Sequence, residues 1–279
     1  MRGPLYHVFT ADLKIVYFNL PGERTDYVEP ESRRHVVAFL STFLRMFETP
    51  EAREAMEEMA AEYLQWQRVT RNIDNLRDPS RIVEEYLVSI HQSFPVICVD
   101  ETIYNKFKAT RTRRRPWSET FFKGADHTAS INAWMFFHMI DFDMYSQQYK
   151  TWQFIFASAL LREIGGHLLM HFLKGRDEPR ATTPPPITSV IQAALTNDPS
   201  RGDAGRKFEC AMFGGHIDYF RDPNENTGKA MVPYMVLPDP REYPKCVGYR
   251  IDQRTIENII NWSECISNDC MRTTLRQYR

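Results

Sequence analysis

Apolar and polar positions alternate along this chain with two different periods, and the change from one to the other marks the expected elements. Residues 6–18 are dense in β-branched and aromatic types and stop at Asn19-Leu-Pro-Gly22, which predicts a strand. Two helices are expected next, from about Pro30 to Phe47 and from Pro50 through about Asn72. In the second, Pro50 suits the first turn, Glu51, Glu54 and Glu57 enrich the N-terminal half, and Arg68 and Arg71 sit near the end, as the helix dipole favours. Asp78-Pro79-Ser80 opens a third helix, in which Ile82, Val83, Tyr86, Leu87 and Ile90 follow the helical period. The continuous apolar run Phe94-Pro-Val-Ile-Cys-Val99 reads as a buried strand.

Beyond it, His127 to Asn132 reads as a strand end that feeds the apolar stretch Ala133 to Ile140, where His138 is expected to be a packed core histidine. From Gln148 to Leu173 the chain is apolar nearly all round, with Trp152, Phe154, Ile155, Phe156, Ala159 and Leu160, as in a central buried helix. Lys174-Gly175 is its stop signal. After the proline-rich stretch 179–186, Asp203 is an expected N-cap and Gly214-Gly215 a terminator, enclosing a short helix with Arg206, Glu209 and Cys210. Strand and turn material is expected over 217–237 and a last helix from Ile251 to about Asn261. The expectation is one helix-rich α+β domain over 1–279 with a small edge sheet. Within it, 1–125 would hold the N-terminal strand and helices, 126–220 the site-bearing core and 221–279 a C-terminal extension.

Composition narrows the class. With 43% hydrophobic and 25% charged residues the chain has the make-up of an ordinary globular protein, and a net charge of −1 argues against a general role on nucleic acid or a membrane surface. One local exception is the run Lys106, Lys108, Arg111, Arg113, Arg114 and Arg115, which reads first as a solvated basic loop. No apolar run approaches the roughly 20 residues needed to span a bilayer. The apolar region before Asp12 and Lys14 is too short for a secretory signal, so a cytoplasmic location is expected. Five cysteines, Cys98, Cys210, Cys246, Cys265 and Cys270, are widely spaced and form no C-x-x-C pair, which favours reduced thiols over a disulfide framework.

The chemistry concentrates in Ala159 to Phe172, where Glu163, His167 and His171 recur at steps of four. On an α-helix these would share one face. His167-Leu-Leu-Met-His171 has the spacing of the H-E-x-x-H signature, in which two helix histidines bind zinc, but Leu168 stands where the general base belongs. A third ligand is expected from a helix packed alongside, and Glu209 leads Cys210 and His216 as the candidate. On this reading His167, His171 and Glu209 hold zinc, Glu163 is the base, Arg206 stabilises developing negative charge and Arg162 contacts substrate.

The strand Ser130-Ile131-Asn132, the apolar helix with Glu163 and His167, and the later helix with Glu209 together resemble the zincin-like metallopeptidases of the gluzincin type. The phrases Arg162-Glu-Ile-Gly-Gly-His167, Gly205-Arg-Lys-Phe-Glu209 and Phe213-Gly-Gly215 also look like a group of uncharacterised fungal proteins in which a His-Glu pair begins the first phrase. The resemblance covers about residues 128–216 and implies a degenerate zincin-like fold. If Glu163 is aligned with the catalytic Glu of that family, Arg162 falls where the first histidine belongs, and a guanidinium has no lone pair to give a metal.

Three readings follow. The first is metal-assisted hydrolysis, or related water and proton chemistry, on a small or peptide-like substrate. The second is metal-free acid/base chemistry such as cyclisation, dehydration or isomerisation in small-molecule biosynthesis. The third is a non-catalytic binding or scaffold protein whose histidines and carboxylates form a satisfied polar network.

Overall fold

The computed structural model describes residues 15–18, 24–25, 30–72, 77–100, 118–123, 126–175, 183–188, 202–220, 232–238 and 246–261. The basic run 106–115, the first part of the proline-rich stretch, and Cys265 and Cys270 lie outside them, as does most of the expected strand 6–18, of which Ile15–Phe18 is β1.

The helical half is built as its residue types dictate. Helix α1 (Pro30–Phe47) turns Val36, Phe39, Leu40, Phe43 and Phe47 inward at helical spacing. Helix α2 (Pro50–Arg71) starts where the Thr49 hydroxyl accepts from the Ala52 amide at 3.1 Å, and it ends at Asn72, whose φ of 54° closes the last turn. Helix α3 (Pro79–Gln92) is capped by Asp78, which accepts from the Ser80 amide at 3.2 Å.

Strands β1, β3 (Val96–Asp100) and β5 (Asp126–Asn132) run parallel at the centre of a five-stranded sheet, with β2 (Arg24–Thr25) and β4 (Ser118–Lys123) antiparallel at its edges. Helices α1 to α3 lie in the connection from β1 to β3, as a parallel pairing requires. The central pairs Ile15 with Ile97 and Ile97 with Ala129 are buried. At the end of β5 the buried Asn132 accepts from the Met135 amide and starts α4 (Ala133–Ile140), where His138 is half-buried.

Helix α5 (Gln147–Leu160) starts on the Ser146 hydroxyl and is buried without interruption from Phe154 to Leu160. The expected single helix over 148–173 departs from plan here. Leu161–Leu168 forms an eight-residue π-helix before α-helical geometry resumes as α6 (Leu169–Lys174), ended by Gly175 at φ 73°. A π-helix closes its hydrogen bonds from i to i+5, which widens the turn that carries Glu163 and His167. The wider turn lies where Gly165-Gly166 meets helix α7 (Ala204–Phe213). A methyl group added to Gly166 would sit 2.5 Å from Gly205 Cα and 2.7 Å from the Ala204 carbonyl oxygen, and one added to Gly165 would sit 2.6 Å from the Phe208 ring. The Tyr86 hydroxyl of α3 donates to the Ile164 carbonyl inside the π segment at 2.5 Å.

A second, antiparallel sheet follows α7 in the order β6 (His216–Phe220), β7 (Val232–Pro238), β8 (Cys246–Arg250), pairing His216 with Val236 and Tyr234 with Arg250. Helix α8 (Gln253–Asn261) buries Ile256, Ile259 and Ile260 and is tied back by Arg45, which donates to the Ile260 carbonyl at 2.8 Å. Among the described residues the fold is therefore helix-rich α+β, with two small sheets rather than one. One apolar cluster extends from Ile15 to Ile260. Among the described residues no helix is long and apolar enough to cross a membrane.

In most exposed helix interiors, replacing glycine by alanine stabilises by about 0.5–1 kcal/mol. Gly166→Ala is expected to do the reverse, costing about 1–3 kcal/mol in urea unfolding, because the added methyl meets backbone that cannot rotate away.

Candidate functional site

The site forms where the π segment, the start of α7 and strand β6 meet. Backbone contacts set the position of α7. The Gly202 amide donates to the Thr183 carbonyl at 3.2 Å and the Asp203 amide to the Ile187 carbonyl at 2.9 Å, so the turn of residues 183–188 holds the entry to the helix. Asp203 then caps it, its Oδ1 accepting from the Arg206 amide at 2.9 Å. The same Oδ1 lies 3.7 Å from His167 Nε2.

Glu209, nearly two turns further along α7, is fully buried between two guanidinium groups. Its Oε1 accepts from Arg162 Nε at 3.0 Å and its Oε2 from Arg206 Nη1 at 2.9 Å. Both arginines also donate to the Ile217 carbonyl of β6, at 3.3 and 3.1 Å, and Arg206 Nη2 reaches Asp218 Oδ1 at 2.5 Å. Two cations, two carboxylates and a strand carbonyl thus satisfy one another, as a buried ionic group requires. Nearby, the Tyr219 hydroxyl bonds the Ser158 hydroxyl of α5.

The electrostatics follow from burial and these partners. For Arg162 burial opposes the charge, but Glu209 first, then Tyr219, Glu163 and Asp203, outweigh it and raise its pKa, so the guanidinium stays charged. Burial raises Asp203, and the combined pull of His167, the Arg206 amide, Arg162 and Arg206 reverses this, holding its carboxyl below the usual range. His216 is fully enclosed at the start of β6; burial, with the positive charge of Arg206 second, pushes it down to about 3. It is a neutral imidazole at physiological pH. Burial raises the Tyr219 phenol.

The structure brings Arg162, Arg206 and Glu209 together in direct ion pairs. It sets His167, one-third exposed, against Asp203, and leaves Glu163 buried in the π segment. His171 lies half-buried on α6. His167, His171 and Glu209 do not converge as a ligand set: among the described residues no group of three or more His, Cys, Asp or Glu side chains is placed to hold a metal ion. The donor chemistry agrees, since both oxygens of Glu209 are taken by guanidinium groups and a divalent ion there would face two positive charges. The expected zinc set therefore does not fit this geometry.

Asp203, Asp218, Tyr219 and Ser158 belong to the site and were not singled out from sequence as site residues. Only Asp203 carried a signal, as a helix cap. Cys98 is buried and Cys210 half-buried. No family model matches the chain, and no curated protein or solved structure does so either.

Two outcomes are expected here. Glu209→Gln breaks a fully buried ionic group and should cost about 3–5 kcal/mol in chemical denaturation. The second concerns pH: His216 binds its proton near 6.5 when unfolded and near 3 when folded, so between these values the unfolded state holds more protons. Its contribution to stability is complete above pH 6.5 and is lost as the pH falls towards 3. In His216→Asn, unfolding free energy measured across that window should fall less steeply with acid than in the wild type.

Proposed function

We propose that this chain is a metal-free enzyme that transfers protons on a small polar molecule, of the cyclisation, dehydration or isomerisation kind. One observation carries the reading: His167 is one-third exposed and presents Nε2 to Asp203 Oδ1 at 3.7 Å, at the edge of a buried, fully paired ionic network. A carboxylate beside one ring nitrogen orients an imidazole, and an oriented imidazole open to solvent is what a general acid or base needs. Glu163 lies four residues before it as a second carboxyl group, and Arg162 and Arg206 supply fixed positive charge close by. The π-helical backbone under His167 adds support, because π turns inside α-helices occur frequently at functional sites.

The zincin-like fold remains part of this proposal, as a scaffold that has lost its metal. What supports it is the order of a mixed sheet, the helix with Glu163 and His167, and a second helix with Glu209 packed against it. Metal-assisted hydrolysis is the weaker alternative because Glu209 is already bound by two guanidinium groups. A scaffold role is favoured by that same saturation, but saturation does not extend to the exposed edge of His167. A cytoplasmic location is proposed on the five widely spaced cysteines, which have no C-x-x-C pair and an odd count.

The test needs no knowledge of the substrate. The full-length protein is incubated with a small-metabolite extract in deuterated water, and mass spectrometry follows deuterium uptake or a change of mass in each compound. A positioned acid/base residue contributes about 10²–10⁴-fold, so His167→Ala should lose activity by that factor. Asp203→Asn should lose less. Equal turnover by His167→Ala and the wild type, or no compound altered by the wild type, rejects the proposal.

A further inference from the structure

The misfit between the expected metal and the observed residues has a specific form. Arg162 and His167 stand five residues apart within the π-helix Leu161–Leu168, one i-to-i+5 step of its hydrogen bonding. Gly205 provides an independent check from the facing helix. A methyl group added there would run into Arg162 Cγ and would lie 2.7 Å from His167 Nε2, so both side chains press on the same point of α7 backbone. The stem of Arg162 fills the space beside the imidazole.

The carboxylates around Arg162 complete the picture. Glu209 binds its guanidinium directly at 2.9 Å, while Glu163 and Asp203 are near enough for their charges to act on it. Asp203 also faces His167 at 3.7 Å. One imidazole and three carboxylates are the donor types that hold divalent ions in proteins. Here they surround a cation that belongs to the chain. We infer that Arg162 stands in for a divalent metal ion, its stem filling the space beside His167 Nε2 and its charge balancing Glu209, Glu163 and Asp203. Arg206 supplies a second positive charge to Glu209, so the two guanidinium groups together bring the charge of a divalent ion. A guanidinium donates hydrogen bonds but accepts no lone pair, which lets the protein close this centre without any metal supply and denies it Lewis-acid chemistry.

This inference stands apart from the proton-transfer reading, since its test reads metal binding and not turnover. The full-length wild type, His167→Ala, Arg162→His, Arg162→Gln and the double variant Arg162→His with His167→Ala are titrated with cobalt(II) and zinc. Cobalt visible absorption, calorimetry and thermal unfolding are followed. The wild type is expected to gain neither a visible cobalt band nor thermal stability. Arg162→His should take up about one equivalent of either metal, at least about 100-fold more tightly than the wild type, and gain stability as metal rises. The double variant should lose that uptake. If Arg162→His unfolds without metal, recovery of helical circular dichroism on adding zinc supports the inference equally. It is overturned if the wild type binds cobalt in a way that His167→Ala abolishes. It is also overturned if a folded Arg162→His shows no more affinity than the wild type, or if neither Arg162→His nor Arg162→Gln folds with any metal.

Discussion

The contact on which the site depends is backbone against backbone: Gly166 of the π segment rests on Ala204 and Gly205 at the first turn of α7. No side chain separates the two elements. This proximity puts Asp203 beside His167 and lets Arg162 span from one helix to Glu209 on the other. Any residue larger than glycine at the contact would push α7 outward and lengthen each of those distances together. The π turn, the glycines and the ion pairs are therefore one arrangement.

The buried ions have a different part in it. Removing charges from water costs several kcal/mol each, and mutual attraction returns this only when every donor and acceptor is used. Glu209 meets that condition with both oxygens, and the Ile217 carbonyl takes a donor from each arginine. Such a network contributes orientation more than net stability. It ties α7 and the π segment to β6, the first strand of the three-stranded sheet.

Much of the fold could be read from the chain. Thr49-Pro50 and Asp78-Pro79 mark the starts of α2 and α3 because a capping oxygen followed by a residue without an amide proton suits a helix entry. Asp203 and Gly214 bound α7 for the same kind of local reason. The site was less legible. The expected alignment of Glu163, His167 and His171 assumed 3.6 residues per turn throughout, and nothing in a hydrophobic pattern announces a π turn, because Gly165 and Gly166 contribute no side chain to it. The pairing of Arg162 with Glu209 joins positions 47 residues apart and is set by tertiary contact. Arg162 was expected to touch substrate, yet its head is occupied within the protein. Asp203 was legible in one role only, since its nearness to His167 arises from the approach of the two helices.

The wide turn also changes how this chain tolerates alterations of length. In α5, deleting one residue would rotate everything downstream by about 100°, carrying buried positions to the surface. The segment Leu161–Leu168 holds roughly one residue more than an α-helix with the same number of turns. A deletion there would let the backbone relax into ordinary α geometry while α5 and α6 kept their facing. The site's most crowded stretch is therefore the one place along Gln147–Lys174 where helix length and helix register are not rigidly linked.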